Sequence, residues 1–146
     1  SQLVLAGPIG WGVSLRELLG SVSKAAQDQI IVTGAVTRDE LAALYSRASA
    51  FCYPSFLEGF GLPVLEAMSY GTPVVTSKGR STEEVSGFAA LTVDPLSVNE
   101  IAEALKLVLT DASVAKELGE LGRARAKLFT WEAAAASTVD VYRSLL

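Results

Sequence analysis

The sequence has 146 residues, of which half are hydrophobic, with one cysteine, no histidine and a formal charge of −4 at neutral pH. This length predicts a single domain with its own hydrophobic core, and the acidic balance argues against nucleic acid as a partner. Histidine is both the commonest acid/base catalyst at neutral pH and the commonest metal ligand, so both roles lack their usual residue. Any chemistry must therefore use carboxylates, backbone groups or another domain.

Nothing in the sequence predicts a membrane span or a secretory signal. No apolar run approaches the ~20 residues that a membrane-spanning helix needs, and the first residues lack a basic start followed by a long apolar stretch. We expect a cytoplasmic location, with a longer parent chain able to lie at a membrane surface. The single cysteine, Cys52, lies in a strand-like apolar run, which predicts core packing rather than catalysis.

Short runs of branched apolar residues alternate with helical patterns along the chain, as in parallel sheets connected by helices. We predict strands at residues 2–6, 30–33, 50–53, 73–76 and 89–93. The predicted fold class is therefore α/β, with a Rossmann-like parallel sheet that has helices on both faces.

Several helices have clear start signals. Thr37 and Glu40 have the spacing of a capping box, and Ser97 and Glu100 repeat it. Thr130 is a candidate N-cap for the last helix. We predict helices over residues 37–48, 97–111, 115–129 and 131–146.

Two patterns resemble ligand sites but have simpler explanations. The residues Arg123, Arg125 and Lys127 are spaced by two, which scatters them around a helix, so we interpret them as a solvated surface. The glycines in residues 7–12 have spacing reversed from the dinucleotide fingerprint, and no acidic residue follows ~20 positions later in the expected place. We therefore reject a dinucleotide site there.

The strongest candidate for a ligand site is the segment PSFLEGFGLPVLEAMSYGTPVV, which follows the third predicted strand. Ligands bind at this end of the strands in open parallel sheets. Gly59, Phe60 and Gly61 form a turn that leads into a helix beginning at Leu62. Such an end offers unpaired backbone N–H groups, and glycines let an anion approach them closely. This pattern predicts a diphosphate-binding turn.

Two carboxylates flank the turn, Glu58 before it and Glu66 in the following helix, with seven residues between them. A carboxylate can accept hydrogen bonds from the paired hydroxyls of a sugar or ribose. Each feature alone is also explained by a tight turn or by the helix dipole. Their ordered combination favours a nucleotide-sugar site.

This segment resembles the signature of group 1 (family 4) glycosyltransferases, which contains Pro-Ser, Glu-Gly-Phe-Gly-Leu-Pro, a second Glu after seven residues, Ala-Met and Gly-x-Pro-Val-Val. The resemblance extends to residues 3–7 with Gly10 and Trp11, to residues 84–90 and to residues 129–131. Glu83 departs from the pattern, which often has proline there. The resemblance implies the C-terminal, donor-binding half of a GT-B fold.

The resemblance also implies a mechanism. A nucleotide-sugar donor binds this domain as substrate, another domain of the parent chain holds most of the acceptor, and the sugar is transferred with retention of configuration, without a cofactor or a bound metal. Glu58 would be the candidate catalytic residue, holding the hydroxyls of the donor sugar, and Glu66 would hold the ribose diol. Backbone N–H groups of Gly59, Phe60, Gly61 and Leu62 would contact sugar and phosphates. None of these residues is assigned as a nucleophile.

Other donor contacts are implied less specifically. The family's base pocket corresponds to Gly34, Val36 and Arg38, for which packing or capping is an equal explanation. In the loop at residues 77–81, Lys78 or Arg80 could contact phosphate, although surface solvation explains them as well.

The family's donor domain begins with a strand and a loop whose Arg and Lys neutralise the diphosphate, and this sequence starts after that point. We therefore expect residues 1–146 to form a donor-binding domain that is incomplete at its N-terminal side and inactive alone. The missing strand would lie in the sheet between the strands at 2–6 and 50–53. The chain must close that gap, pair with another strand, or expose an edge through which copies self-associate.

Two other functions compete with this interpretation. A non-catalytic nucleotide-sugar-binding or regulatory domain could keep the same pocket. A non-hydrolysing epimerase is disfavoured because such enzymes depend on histidine. The donor base, the sugar, the acceptor and the oligomeric state are not determined by the sequence.

Overall fold

The computed structural model describes residues 1–8 and 14–145. The strands are β1 (Leu3–Ala6), β2 (Ile30–Gly34), β3 (Phe51–Tyr53), β4 (Val74–Ser77) and β5 (Ala90–Val93). The helices are α1 (Leu15–Gly20), α2 (Lys24–Gln27), α3 (Arg38–Arg47), α4 (Leu62–Ser69), α5 (Ser81–Ser86), α6 (Val98–Thr110), α7 (Ala112–Ala126) and α8 (Trp131–Ser144). The predicted strands and helices are confirmed with slightly displaced ends.

In the described residues every strand pair is parallel, and the pairs belong to two sheets. Strand β1 pairs with β2, while β3, β4 and β5 pair in that order. The chain correspondingly divides into two compact units, one from Ser1 to Ala43 and one from Leu44 onwards. The α/β class, with helices packed on parallel sheets, is confirmed. The expected further strand between β1 and β3 stays a prediction.

The core of the second unit joins its sheet to α6 and α7. Val75 of β4 and Val93 of β5 cluster with Val108 and Leu118 of these helices, and all four are buried. Cys52 packs against this cluster, and burial raises the pKa of its thiol. The prediction that this cysteine is a packing residue is confirmed.

The predicted capping signals form hydrogen bonds, with one difference. The Thr37 N–H donates to Glu40 Oε2 at 2.7 Å, and the Glu40 N–H donates to Thr37 Oγ1 at 3.3 Å, which completes a capping box. At α6 the Glu100 N–H donates to Ser97 Oγ at 3.2 Å. The Glu100 carboxylate instead accepts from the Asp94 N–H at 2.9 Å. The second box is therefore only half formed, because the loop after β5 competes for its carboxylate.

The basic run is exposed at Arg123 and Lys127, as predicted, but the solvated-surface interpretation is wrong for Arg125, which is half-buried, and both arginines also make tertiary hydrogen bonds. Arg123 donates to the Tyr70 carbonyl at 3.0 Å, at the C-terminal end of α4. Arg125 donates to the carbonyls of Glu84 and Val85, both at 2.8 Å, on α5. Carbonyls at helix ends lack intrahelical donors, so cations from a neighbouring helix satisfy them. These arginines fasten α7 to both helices that follow the candidate turn.

Some sequence predictions fall outside the described residues. Gly10, Trp11 and the end of the rejected dinucleotide turn lie within residues 9–13, which are not described. Among residues 1–8 and 14–145, no helix is long and apolar enough to cross a membrane.

Candidate functional site

The candidate site is built on the connection between β3 and α4. Glu58 is half-buried in this connection, and Gly61 is the N-cap of α4 with a φ of +106°. Helix α4 begins at Leu62, with Pro63 in its first turn, where a missing N–H costs nothing. The predicted turn and helix start are thus confirmed. The ligand roles assigned to these residues stay predictions.

The backbone N–H groups of this turn are unpaired. Within the described part of the chain, those of Gly59, Phe60, Gly61 and Leu62 donate to no acceptor. Consecutive free N–H groups at a helix N-terminus present a partial positive charge to an anion. The arrangement therefore suits a phosphate group.

The two glycines of the turn differ in what the fold requires of them. Gly61 adopts a positive φ, and a Cβ placed there would lie 3.0 Å from Thr82 Cγ2. Backbone strain and close packing therefore explain this glycine. Gly59 has no positive φ, and a Cβ there would meet nothing within 4 Å. The open space over Gly59 leaves room for a ligand to approach the backbone.

The Glu58 carboxylate is held on one side by two hydroxyl groups. The Tyr53 hydroxyl donates to Glu58 Oε1 at 2.7 Å, and Ser55 Oγ donates to the same oxygen at 2.9 Å. No described residue donates to Glu58 Oε2. Burial, followed by the hydrogen bond and charge of Glu58, raises the pKa of Tyr53 to about 12. The phenol is therefore protonated at neutral pH and donates the hydrogen bond to Glu58.

Three further hydroxyl groups hold the backbone around this carboxylate. Ser81 Oγ donates to the Glu58 carbonyl at 2.9 Å. Ser77 Oγ donates to the Ser55 carbonyl at 2.6 Å, and Thr76 Oγ1 donates to the Tyr53 carbonyl at 2.9 Å. Strand β4 and the start of α5 thus fix the chain on either side of Glu58.

Glu66 lies on α4, where it is exposed and has a tyrosine partner of its own. The Tyr45 hydroxyl donates to Glu66 Oε2 at 3.3 Å. The Tyr45 ring is buried, with its centroid 5.3 Å from that of Phe51 and 6.0 Å from that of Tyr70. Burial, with the Glu66 charge adding to it, raises the pKa of Tyr45 above its usual range. Each predicted carboxylate therefore accepts a hydrogen bond from a neutral tyrosine.

The loop after β4 contains two cationic residues, Lys78 and Arg80, which differ in their contacts. Lys78 forms an ion pair with Glu100 at 3.1 Å, whereas Arg80 is exposed. The Gly79 N–H donates to Glu83 Oε2 at 2.5 Å. Glu83 therefore holds this loop by a hydrogen bond. A phosphate contact from Arg80 stays a prediction.

The residues of the predicted base pocket lie in the first unit. Gly34 ends β2 with a φ of +68°, Val36 is half-buried, and Arg38 is the exposed first residue of α3. Positive φ explains Gly34 as a strand-ending turn. Their role toward a base stays a prediction.

Cavities add little to this assignment. A cleft of about 160 Å³ lies beside the turn and is lined by Gly59, Phe60, Ser81, Glu84, Val85, Arg125 and Phe129. It is smaller than the roughly 300–1,000 Å³ of typical ligand pockets. A depression of about 590 Å³ in the first unit contains none of the predicted site residues. Within residues 1–8 and 14–145, no three His, Cys, Asp or Glu side chains cluster as metal ligands.

The proteins that this chain resembles are glycosyltransferases. The sequence pattern of the glycosyl transferases of group 1 matches residues 2–125. The chain is 40% identical to the O-antigen chain mannosyltransferase B of Escherichia coli, over 98% of this chain and 37% of that protein. It is 38% identical to the MMP alpha-(1->4)-mannosyltransferase of Mycolicibacterium hassiacum, over 82% of this chain and 30% of that protein.

A solved structure agrees with these relatives. The sucrose-phosphate synthase of Thermosynechococcus elongatus is 34% identical and superposes with a TM-score of 0.82, over 99% of this chain and 38% of that one. The chain thus spans less than two fifths of the length of these three relatives. With the family pattern covering most of its length, the chain belongs to the group 1 glycosyl transferases.

Proposed function

We propose that this chain is the donor-binding part of a retaining glycosyltransferase, which transfers a sugar from a nucleoside-diphosphate sugar to an acceptor hydroxyl. The carrying observation is the run of unpaired N–H groups from Gly59 to Leu62, with Glu58 and Glu66 on either side. The amides supply positive partial charge for a diphosphate. The carboxylates supply acceptors for the hydroxyl groups at its two ends.

The proposed roles follow from the chemistry of transfer. The bond between the anomeric carbon and the diphosphate oxygen breaks, the acceptor oxygen bonds to that carbon, and the proton of the acceptor hydroxyl passes to the leaving diphosphate or to water. Negative charge then grows on the leaving diphosphate. Amides already oriented by α4 stabilise this charge without rearranging. Glu58 orients the sugar and Glu66 the ribose, while Gly34, Val36 and Arg38 remain the proposed contacts of the base.

The names of the relatives suggest which donor to test first. Both mannosyltransferases match this chain at 38% identity or more. We therefore propose a hexosyl donor, with mannose as the first candidate, and leave the base to a panel of nucleotides.

The first prediction concerns binding of the sugar-free nucleotide. We expect the chain to bind UDP, GDP or ADP weakly in calorimetry without added divalent metal, since the turn amides are free to receive a phosphate. Affinity that depends on magnesium or manganese would contradict the proposed mode. Absence of binding for all three nucleotides would contradict the proposed function itself.

The second prediction separates the two carboxylates. Glu66→Ala should weaken binding of the sugar-free nucleotide, whereas Glu58→Ala should matter mainly when the sugar is attached. Each lost charged hydrogen bond is expected to cost roughly 1.5 to 3 kcal/mol of binding free energy. Dissociation constants for matched pairs, GDP with GDP-mannose and UDP with UDP-glucose, measure both effects.

The matched control is Glu117→Ala, which removes an exposed glutamate from α7. This variant should bind every ligand as the unmodified chain does. Equal losses of the sugar-free nucleotide in Glu58→Ala and Glu66→Ala would refute the division of roles.

A further inference from the structure

The hydrogen bonds of Glu58 are distributed unevenly over its carboxylate. Both Tyr53 and Ser55 donate to Oε1, at 2.7 Å and 2.9 Å. Oε2 receives no hydrogen bond from any described residue. One oxygen is thus anchored to the protein and the other is left with its acceptor capacity.

The two donors are themselves fixed. The ring of Tyr53 stacks on Phe51 with centroids 5.7 Å apart and planes 15° apart. Thr76 holds the Tyr53 carbonyl and Ser77 holds the Ser55 carbonyl. Ser55 Oγ also lies 3.2 Å from the Leu57 carbonyl. A hydroxyl group has one proton to donate, and the distance to Glu58 Oε1 is the shorter of the two. Both hydroxyl groups are therefore held in fixed positions from which they donate to Glu58 Oε1.

We propose that Tyr53 and Ser55 are positioning residues, which anchor Glu58 Oε1 and thereby direct Oε2 toward the hydroxyl groups of the donor sugar. The inference rests on the proposed function and adds residues to it. An unanchored glutamate samples several rotamers and loses this freedom when a ligand binds. An anchored carboxylate has already lost it, so more of the new hydrogen-bond energy appears as affinity. The two residues act only through Glu58 and touch no ligand.

The test compares how much the attached sugar adds to affinity in each variant. The measured quantity is the dissociation constant of the nucleotide divided by that of its sugar derivative, for GDP with GDP-mannose and UDP with UDP-glucose. Tyr53→Phe keeps the ring and removes one anchor, and Ser55→Ala removes the other. Each is expected to reduce this ratio about fivefold to tenfold, the effect of one lost hydrogen bond, and to leave the sugar-free constant unchanged.

The double variant Tyr53→Phe/Glu58→Ala tests whether Tyr53 acts through Glu58. Once Glu58 is gone, removing the Tyr53 hydroxyl should change nothing further. Tyr70→Phe is the matched control, because Tyr70 stacks on Tyr45 and donates to neither carboxylate. Tyr45→Phe should instead weaken the sugar-free nucleotide, since its hydroxyl bonds Glu66.

The possible outcomes are distinct. A full Tyr53→Phe effect in the Glu58→Ala background would overturn the positioning role, as would equal losses of both ligands of a pair. If Tyr53→Phe unfolds the chain, Ser55→Ala decides the question by the same ratio. If the unmodified chain binds no ligand of either pair, the proposed function fails and this inference fails with it. Normal binding without any effect of Tyr53→Phe or Ser55→Ala overturns the inference alone.

Discussion

Replacing Gly61 with valine (Gly61→Val) is expected to lower the free energy of unfolding by about 3 kcal/mol or more. The φ of this residue is +106°, and holding a β-branched residue there costs of order 1–3 kcal/mol. Its Cβ would also lie 3.0 Å from Thr82 Cγ2, at the start of α5, and overpacking costs about 1–3 kcal/mol more. Denaturant unfolding measures the sum.

The same substitution should weaken nucleotide binding in any chain that remains folded. Relief of the strain requires the turn to rotate, which changes the directions of the unpaired N–H groups of Phe60, Gly61 and Leu62. We expect the dissociation constant of GDP or UDP to rise about tenfold or more, the equivalent of one charge-assisted hydrogen bond. Calorimetry below the unfolding transition measures it.

Gly59→Ala separates the fold from the ligand. A Cβ at Gly59 meets nothing within 4 Å, so the free energy of unfolding should change by less than about 0.5 kcal/mol, as at an ordinary surface position. The methyl group would occupy the space through which a phosphate approaches the backbone, so affinity should still fall. A stable Gly61→Val chain, or a Gly59→Ala chain with undiminished affinity, would show that the turn has been misinterpreted.

The backbone of this site could be predicted from the sequence because local chemistry determines it. Gly59 and Gly61 around Phe60, followed by a helix with proline in its first turn, leave few other conformations. The capping residue Thr37 is predictable in the same way, from its spacing of three to Glu40. In each case the relevant partners lie within one helical turn of each other in the chain.

The long-range side-chain contacts that hold this site could not be predicted in this way. Ser77 and Ser81 reach the site from β4 and α5, and Tyr45 reaches Glu66 from α3. Those contacts depend on which elements lie side by side, and periodicity alone does not specify that. The positions of Tyr53 and Ser55 are an exception. Both lie within five residues of Glu58 in the sequence and close to the end of β3, so their proximity to Glu58 could be expected from the sequence.

The basic residues of α7 also have contacts that the sequence pattern does not predict. Sequence spacing correctly scatters Arg123, Arg125 and Lys127 around α7, but it does not reveal which other elements α7 meets. Two of the three face unpaired carbonyls at the ends of neighbouring helices. The charge pattern therefore predicts the exposure of Arg123 and Lys127, but it does not predict the tertiary hydrogen bonds that packing adds.

The prediction with the largest effect is that the 146-residue chain, if it is the donor-binding part proposed here, transfers no sugar at a measurable rate when supplied with donor and acceptor. The chain matches 37% of the length of its mannosyltransferase relative from Escherichia coli, and the family resemblance assigns the acceptor to another domain. Orienting the attacking hydroxyl can be worth roughly 7 to 11 kcal/mol of the activation barrier.

Stabilisation of the leaving diphosphate is a second reason to expect no transfer. The family resemblance implies an Arg and a Lys that neutralise the leaving diphosphate, and losing one such donor typically lowers the rate roughly 100- to 1,000-fold. The measurement is product formation with GDP-mannose and UDP-glucose, for this chain and for a chain extended upstream to the length of its relatives. The extended chain should turn over and lose most of that activity in its Glu58→Ala form, because the donor sugar is then no longer oriented. Comparable turnover by the short and extended chains would show that residues 1–146 supply every group that transfer needs, which would contradict the expected inactivity of the short chain.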